Sequence, residues 1–517
     1  MNHSMQTVPA GKGGKVGKAV GIVFGVLLTL FLASLAVVFP KQGEIFIELG
    51  DKAPVNPGDY LFGYPFVVNH ARIDAEDVNT DKVGAYQVNA ELLFYHYTID
   101  VTVRDTTPPE IVPFQDELYI ATGREYAPED FAAKITDLSG DVSCGIRYDG
   151  SELSSVSFPE QGHYSVTLEA RDASGNTGSC EIGFTVDDPP VIIGAFDRHL
   201  PVGTDFNLKV VAVDTGDGVL SDHMLIDKGG FNSKKEGDYT VIYSVTDSHG
   251  LRTEKSITLS VCNKRKLSLY NDKDDLSLTP EEMRLLCGAD YFSYQPLDVP
   301  DYDTVLDMIE PTLLDFKQTR SNGYAAGSGC IYRVTPEWIY MLSVQHVMKE
   351  VSRDCSIMFF DGTVVKEDIA YATSKQKNEL AMFKIPVSDV PTDTLLSLKQ
   401  ICVDTEVYTG MSEGDEVVAF AKHWSGTNQD KITRMKVKKL RVSIRDFGLY
   451  DSLMETTEGV VSGMSGTAVV DLRGRLVGLA SAIGPSTDSD RIASSYHSRI
   501  DVLAEAENAL EEGNKAA

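Results

Sequence analysis

Residues 463–470 read Gly-Met-Ser-Gly-Thr-Ala-Val-Val, and after a turn at Gly474 residues 476–483 read Leu-Val-Gly-Leu-Ala-Ser-Ala-Ile. This pattern predicts a serine in a tight glycine turn, followed by two apolar strands. Glycines beside a serine let its backbone approach a bound molecule and leave N–H groups free to bind a negatively charged oxygen. The stretch therefore indicates a nucleophile, Ser465, with the N–H groups of Gly463 and Ser465 as an oxyanion hole.

A histidine and an acidic residue precede this serine, each next to an apolar strand pattern. Residues 327–331 read Gly-Ser-Gly-Cys-Ile, and residues 338–347 read Trp-Ile-Tyr-Met-Leu-Ser-Val-Gln-His-Val. Together they predict a strand, a turn and a second strand that ends at His346. Glu379 then opens another strand, whose residues 380–383 read Leu-Ala-Met-Phe. The chain thus presents histidine, acid and serine in that order.

These three residue types suit nucleophilic catalysis. A serine hydroxyl is a weak nucleophile and needs a base to take its proton, and histidine titrates near neutrality. A carboxylate on the far ring nitrogen holds the correct tautomer and stabilises the imidazolium. We therefore expect His346 to be the base and Glu379 the orienting acid for Ser465. Asp368 is an alternative acid, although it stands early relative to the Leu-Ala strand.

The order histidine, acid, serine is that of the chymotrypsin-like peptidases, and the segment most closely resembles their bacterial HtrA (DegP-like) group. That group has Gly-Ser-Gly before the histidine strand, Asp-Leu-Ala at the acid and Gly-Asn-Ser-Gly-Gly at the serine. The resemblance covers about residues 310–504, within a predicted domain of residues 309–513. It implies an all-β, two-barrel fold and a serine endopeptidase that cleaves proteins or peptides through an acyl-enzyme. No PDZ-like domain follows.

Three departures from the family pattern bear on activity. Glu379 stands where the family has aspartate, Gln345 and Val347 replace the usual small or polar neighbours of the histidine, and Thr467 replaces the second glycine after the serine. Unrelated hydrolases do use Ser-His-Glu triads. The alternative interpretation is an inactive protease fold that serves as a binding module, a surface sensor or an adhesin.

The resemblance also places residues 456–461 and 480–483 along the specificity pocket. These stretches hold no acid that would select a basic substrate side chain, apart from Glu458. A small or apolar side chain is the expected preference.

The motif Gly-x-Tyr-x-Val recurs upstream at Gly84, Gly162 and Gly237, with a spacing of about 75–80 residues. Each copy opens an alternating run typical of a strand, and an Asp-Gly turn follows the last two copies. The pattern resembles the bacterial immunoglobulin-like surface repeats, which are small β-sandwiches. It predicts a degenerate repeat and two regular ones, over residues 41–105, 106–187 and 188–262. Such repeats serve either as spacers or as ligand-binding modules.

Residues 263–308 form a predicted connector to the protease-like segment. Within it, Thr279-Pro280-Glu281-Glu282 is a capping box with proline at the first helical position. It predicts a short helix up to Gly288.

Residues 19–39 contain no charged side chain, and about 20 such residues are needed to cross a bilayer as a helix. Lys12, Lys15 and Lys18 precede them, so the positive-inside rule predicts a cytoplasmic tail of residues 1–18. The protease-like domain is then expected outside the cytoplasm, on a single-pass membrane anchor. A cleaved signal peptide is the alternative, and it would place the domain on the same side.

Composition excludes one class of partner and predicts no bound group. The formal net charge of -29 argues against nucleic acid, because phosphate binding needs clustered Lys and Arg. None of the seven cysteines forms a CxxC pair, so zinc-site spacing is absent. We expect no cofactor and no metal. Cys144 and Cys180 lie within one repeat and are candidates for a disulfide.

Overall fold

The computed structural model describes residues 22–29, 37–114, 117–204, 206, 208–268, 277–321, 323–373, 379–404, 406–422, 429–444, 449–457, 459–483 and 494–511. Internal contacts divide the chain into two units, Met1–Asp187 and Asp188–Ala517. Within the predicted membrane span, residues 22–29 are helical, and 19–21 and 30–36 lie outside the described residues. In the described ranges, no helix is long and apolar enough to span a bilayer.

The first predicted repeat packs a four-stranded sheet against short elements around its own apolar core. The strand Gly84–Leu92 pairs antiparallel with Tyr95–Arg104, as the alternating pattern predicts. Leu93 stands at the turn in a left-handed conformation, with φ 53°, where the other repeats have Asp and Gly. The other elements are the strands Phe39–Pro40, Ile45–Glu48, Leu61–Phe62 and Arg72–Asp74 and the helices Pro57–Tyr60 and Pro65–Val68.

The second predicted repeat is built on the hairpin Gly162–Asp172 and Thr177–Asp187, the centre of a five-stranded sheet. Its apolar core includes Phe131, Phe158 and Phe184, and the Phe184 ring contacts both of the others. The remaining strands are Glu110–Pro113, Tyr119–Ala121, Glu125–Tyr126, Ala132–Thr136, Val142–Tyr148, Ser151–Leu153 and Val156–Ser157.

The candidate disulfide between Cys144 and Cys180 does not form, and both thiols are free. Cys144 lies opposite Ala170, and Cys180 lies opposite Leu168 on the other side of the same central strand. Two strand spacings separate the cysteines, roughly 10 Å, which exceeds the reach of a disulfide.

The third predicted repeat combines a four-stranded and a three-stranded sheet. Its central hairpin is Gly237–Thr246 with Arg252–Cys262, paired in continuous register. The other strands are Val191–Ile193, Arg198–Pro201, Val211–Asp214, Gly218–Val219 and Leu225–Asp227.

The predicted connector helix is confirmed as Pro280–Gly288, with the Thr279 and Glu282 capping box formed in both directions. A second helix, Tyr302–Ile309, begins with Asp301 as its N-cap. Both helices bury apolar side chains in the same core as the protease-like segment. The connector is therefore part of that globular unit rather than a free linker.

The first half of the protease-like segment is a seven-stranded antiparallel sheet where the sequence predicts a barrel. Only residues 368–370 join its two edge strands, so the edges lie within about 14 Å of each other and the sheet is curled almost to closure. In spatial order the strands are Val364–Glu367, Cys355–Phe359, Leu313–Arg320, Gly323–Val334, Trp338–Val344, Leu380–Pro386 and Tyr371–Thr373.

The second half is a closed barrel, as predicted. Its strands in spatial order are Glu416–Ala421, Lys431–Ile444, Leu449–Thr457, Ser494–Arg499, Leu476–Ile483 and Ala468–Asp471. The helices of this segment are Gln345–Val351, Thr392–Leu395, Val407–Gly410 and the terminal Leu503–Glu511.

Candidate active site

His346 lies in the first turn of a helix rather than at the end of a strand. The strand Trp338–Val344 stops two residues earlier, and the helix Gln345–Val351 begins directly after it. The N–H of Gln345 donates to the carbonyl of Glu379 at 2.6 Å, which ends the ladder at this point. The predicted strand end is thus wrong by two residues, and the helical turn carries the imidazole.

Glu379 contacts His346 directly. Its Oε2 lies 2.8 Å from His346 Nδ1 and 3.4 Å from the His346 backbone nitrogen. The Glu379 side chain is 21% exposed and the imidazole 46% exposed, so the ring edge opposite the carboxylate reaches solvent. Since Nδ1 faces the carboxylate, Nε2 is the nitrogen available to a hydroxyl.

Glu379 also has a strained backbone, with φ 62°. A left-handed conformation is uncommon outside glycine, and strain of this kind costs about 1–3 kcal/mol. Glu379 lies immediately before the strand Leu380–Pro386. Val344 and Leu380 form the last residue pair between this strand and the strand Trp338–Val344. This backbone turn places the longer glutamate side chain on the imidazole.

Asp368, the alternative acid, is engaged elsewhere. Its Oδ1 accepts a hydrogen bond from the backbone nitrogen of Asp354 at 2.8 Å. Among the described residues, Glu379 is the carboxylate that contacts His346.

Ser465 is held by hydrogen bonds on both sides of its turn. Its carbonyl accepts from the N–H of Ser328 at 2.8 Å, and the next N–H, that of Gly466, donates to Ala480 at 2.7 Å. Gly466 has φ 88°, and a Cβ there would lie 2.0 Å from the Ser328 carbonyl oxygen. Only glycine fits this contact.

The histidine helix and the serine turn meet at Gly327. A Cβ on Gly327 would lie 2.4 Å from a Val347 methyl and 3.2 Å from the Ser465 carbonyl oxygen. The Gly-Ser-Gly strand therefore brings the neighbour of His346 and the nucleophile into one site. Within the described ranges, no hydrogen bond joins the Ser465 hydroxyl to the His346 ring.

The predicted oxyanion donors lie in a turn whose other N–H groups are occupied. The N–H groups of Met464, Gly466 and Thr467 all donate to backbone carbonyls, whereas those of Gly463 and Ser465 donate to none in the described part of the chain. Gly463 has φ 91°, a conformation that favours glycine. Two free N–H groups on one turn can bind a developing oxyanion.

A buried histidine, His497, stands beside the predicted specificity pocket and was missed by sequence reasoning. It is fully buried, its Nε2 lies 2.8 Å from Thr456 Oγ1, and it lies opposite Ala480 on the neighbouring strand. Burial lowers the pKa of His497 to about 3, so the ring is neutral at physiological pH. Glu458, the acid expected near this pocket, lies outside the described residues.

A second missed group, Asp315, lies behind the nucleophile. Its Oδ1 accepts from Ser328 Oγ at 2.7 Å, and Ser328 in turn holds the Ser465 carbonyl. Burial raises the pKa of Asp315 to about 7 against the opposing effect of the Ser328 hydrogen bond, and Asp430 adds to the rise. An acid between the apolar residues Leu314 and Phe316 was the available sequence signal.

Comparison with known proteins identifies the classes of the two best-defined segments. Residues 327–479 match the family described as Trypsin-like peptidase domain. This match places the segment in the class of serine proteases. Residues 191–261 match the family described as Bacterial surface protein, Ig-like domain. The chain thus combines a trypsin-like peptidase domain with a bacterial immunoglobulin-like domain.

Similar solved structures include HtrA-type proteases. AlgW with a tripeptide is 19% identical, with a TM-score of 0.34, over 42% of this chain and 65% of that chain. The serine endoprotease from Yersinia pestis is 16% identical, with a TM-score of 0.31, over 42% of this chain and 70% of that chain.

Two curated proteins match at the sequence level. The pesticidal crystal protein Cry22Aa of Bacillus thuringiensis is 24% identical over 204 residues, which are 37% of this chain and 27% of that protein. An uncharacterized 81.3 kDa protein of Acholeplasma phage L2 is 23% identical over 241 residues, 44% of this chain and 32% of that protein. The chain spans about a third or less of the length of both relatives.

Proposed function

We propose that this chain is a serine endopeptidase that cleaves proteins through an acyl-enzyme on Ser465. The observation that carries the proposal is the 2.8 Å contact between Glu379 Oε2 and His346 Nδ1. It lies inside a trypsin-like domain, next to the glycine turn that holds the serine. This contact orients an imidazole whose other nitrogen can accept a proton from a hydroxyl.

In the proposed reaction, Ser465 Oγ attacks the scissile carbonyl carbon while His346 Nε2 takes the hydroxyl proton. The carbonyl electron pair moves to oxygen, where the N–H groups of Gly463 and Ser465 stabilise the charge. His346 then gives its proton to the leaving amine as the C–N bond breaks. Water repeats the sequence on the acyl-enzyme, and Glu379 stabilises the imidazolium in both halves.

The proposed location is the outer side of a membrane, with residues 19–39 as a single-pass anchor. Support comes from the uncharged run itself and from the three lysines that precede it. Protein or peptide substrates outside the cytoplasm follow from this location.

The direct test is labelling of the purified full-length chain with a fluorophosphonate probe. The wild type is expected to label, Ser465→Ala to lose labelling, and His346→Ala to lose most of it because the hydroxyl is no longer activated. Ser462→Ala is the matched control, because it removes an exposed serine three residues away. Equal labelling of the wild type and Ser465→Ala would falsify the assignment.

A second candidate function is an inactive protease fold that binds a partner. The specific observation in its favour is that Ser465 and His346 form no hydrogen bond in the described ranges, although such contacts are often loose before substrate binds. This candidate predicts no labelling by the probe between about pH 6 and 9, together with saturable binding to a protein partner that Ser465→Ala leaves unchanged.

A further inference from the structure

Three aspartates from distant parts of the chain meet at the predicted boundary between the first and second repeats. Asp105 directly follows the strand Tyr95–Arg104, Asp137 follows the strand Ala132–Thr136, and Asp172 ends the central strand of the second repeat. One carboxylate oxygen from each lies within 4.8 Å of the others. Three negative charges at this separation repel one another strongly unless a cation lies between them.

Asp105 supplies an independent observation that points to a ligand. Its side chain is only 6% exposed, and its Oδ2 is buried and has no hydrogen-bond partner among the described residues. Its Oδ1 accepts a single bond, from the Thr107 nitrogen at 3.2 Å. A buried carboxylate oxygen without a donor is costly, and native structures normally satisfy such an atom with a proton donor, water or an ion.

The charge around Asp105 is not neutralised by a basic side chain. Among the described residues, no salt bridge reaches Asp105, Asp137 or Asp172, and the adjacent Arg104 pairs with Glu44 instead. The protein therefore concentrates negative charge here without a cation of its own.

The other two carboxylates are held in place by their own turns. Asp137 Oδ1 accepts from the nitrogen and hydroxyl of Ser139 at 2.8 and 2.7 Å. Asn176 donates from its backbone and side chain to Asp172 at 2.8 Å in both cases, and its side chain also donates to the Asp105 carbonyl at 3.0 Å. Burial opposes the ionisation of Asp172, but these hydrogen bonds outweigh it and lower its pKa. Two of the three carboxylates are thus preorganised by hydrogen bonds from their own turns.

We propose that Asp105, Asp137 and Asp172 bind a calcium ion that links the first repeat to the second. The ligand set is all oxygen, which suits a hard cation rather than zinc. Calcium–oxygen distances are about 2.3–2.6 Å, so two oxygens on opposite sides of one ion lie up to about 5 Å apart, and the observed group fits within this span. Backbone carbonyls and water complete the shell.

The ion has a mechanical consequence, because its ligands belong to both sides of the joint. Asp105 lies at the end of the first repeat, just before Pro108 and Pro109, and Asp137 and Asp172 belong to the second. Calcium between them stiffens a joint that the prolines already restrict. Without calcium, repulsion among the three carboxylates loosens it.

The test is calorimetric titration of the calcium-stripped, purified full-length chain with calcium chloride. We expect one ion per chain, with a dissociation constant in the range of about 10⁻⁴–10⁻³ M that is typical of extracellular modules. Asp105→Asn and Asp137→Asn should each weaken binding at least about tenfold, since each removes a charged ligand. Glu160→Gln, which removes an exposed acid of the same repeat, should bind as the wild type does.

Thermal unfolding provides a second readout that a merely structural role would not give. Without calcium, Asp105→Asn should unfold at the same temperature as the wild type or higher, because it removes a repelled buried charge. Calcium should raise the unfolding temperature of the wild type and of Glu160→Gln only. Should Asp105→Asn fail to fold, the half-buried Asp137→Asn carries the test alone.

Three outcomes overturn the proposal. The first is no saturable calcium binding by the wild type up to about 10 mM, well above the weakest extracellular sites. The second is wild-type affinity in both aspartate variants. The third is tighter binding of magnesium than of calcium, which would reject the choice of ion.

Discussion

Glu379 contacts His346 from a left-handed backbone, with a separation of 2.8 Å that depends on the length of its side chain. Glu379→Asp shortens the side chain by about 1.5 Å, so the 2.8 Å contact opens beyond hydrogen-bond reach unless the strand moves. Glu379→Gln keeps the length but presents an amide that supports the wrong tautomer. For an aspartate in this role the amide change costs about 10⁴-fold in kcat, and we expect a loss of roughly 10²–10⁴-fold here.

The measurement is kcat/KM on one peptide substrate for both variants, with Glu337→Gln as an exposed control on the same half of the domain. Both site variants should lose activity and the control should retain it. Wild-type turnover in Glu379→Gln would mean that Glu379 is not the third member and that the site is at best a Ser-His dyad.

Asp315 and His497 should give the folding stability two opposite pH dependences. The native pKa of His497 is about 3, below the unfolded value of 6.5, so the unfolded chain binds the extra proton and stability rises with pH between these values. The native pKa of Asp315 is about 7, above the unfolded value of 3.8, so the native chain binds the extra proton and stability falls as pH rises through this window. Each slope is at most about 1.4 kcal/mol per pH unit.

Between about pH 4 and 6.5 the pH dependences of His497 and Asp315 oppose each other. A variant that removes one of these groups should therefore show the pH dependence of the other. Relative to the wild type, Asp315→Asn should gain stability steadily as pH rises, and His497→Gln should lose it. Urea unfolding at a series of pH values measures both differences, and all other titrating groups cancel in the comparison. Parallel stability curves for the wild type and both variants would show that neither group titrates as described.

The candidate site residues proposed from the sequence differ in a physical way from those that only the fold brings together. Ser465, His346 and Glu379 stand in local motifs whose glycines and apolar neighbours are visible in one dimension. The calcium ligands Asp105, Asp137 and Asp172 lie far apart in sequence and look like ordinary turn acids. Only the fold shows that they meet, so the expectation of no metal could not have been revised from the sequence.

At the scale of elements, the contact between the histidine helix and the serine turn depends on the missing side chain at Gly327. A methyl group there would overlap Val347 and press on the Ser465 carbonyl. We expect Gly327→Ala to cost about 1–3 kcal/mol of stability, as overpacking does, and to displace the nucleophile. Thermal unfolding and probe labelling measure the two effects.

The double variant Gly327→Ala with Val347→Ala separates the contact of the new methyl group with Val347 from its contact with the Ser465 carbonyl. Removing the Val347 methyls creates room for the new one, so stability and labelling should recover in part, with a coupling of about 0.5–3 kcal/mol. Gly288→Ala is the control, because a Cβ there meets nothing within 4 Å. Additive losses in the double variant would contradict a direct contact.

Elements with a local signal were predicted well, and those that depend on their partners were not. The helix Pro280–Gly288 follows from a capping box that is complete within its own first turn. The strand before His346 ends at Val344 because Gln345 bonds to Glu379, a residue more than thirty positions later. The hairpin at Leu93 lacks the usual turn residues, and its neighbouring strands impose the left-handed conformation.

On the scale of the whole molecule, the sequence underestimates how much of the chain belongs to the protease-like unit. Its polar composition and short helix suggest a connector over residues 263–308. Yet four of its apolar side chains are almost fully buried in the core of that unit: Met283, Leu286, Phe292 and Val305. The third repeat adds Ile193, Val211 and Val213 to the same core. Domain boundaries drawn from motifs alone therefore cut through a packed interior.

This packing predicts where the protease-like unit can be separated from the rest of the chain. Each large apolar side chain that is fully buried contributes about 1.5–3 kcal/mol, so the connector side chains together contribute roughly 10 kcal/mol, as much as the whole stability of a typical domain. A fragment of residues 309–517 should be largely unfolded or insoluble, whereas residues 277–517 should fold, and residues 188–517 should be more stable still. Residues 263–517 are the control, because the additional helix Lys264–Leu267 buries no side chain and should leave the urea midpoint unchanged. Equal urea midpoints for the fragments of residues 309–517 and 277–517 would contradict this prediction. The connector would then contribute nothing to stability, and the folded protease-like unit would begin where the sequence motifs do.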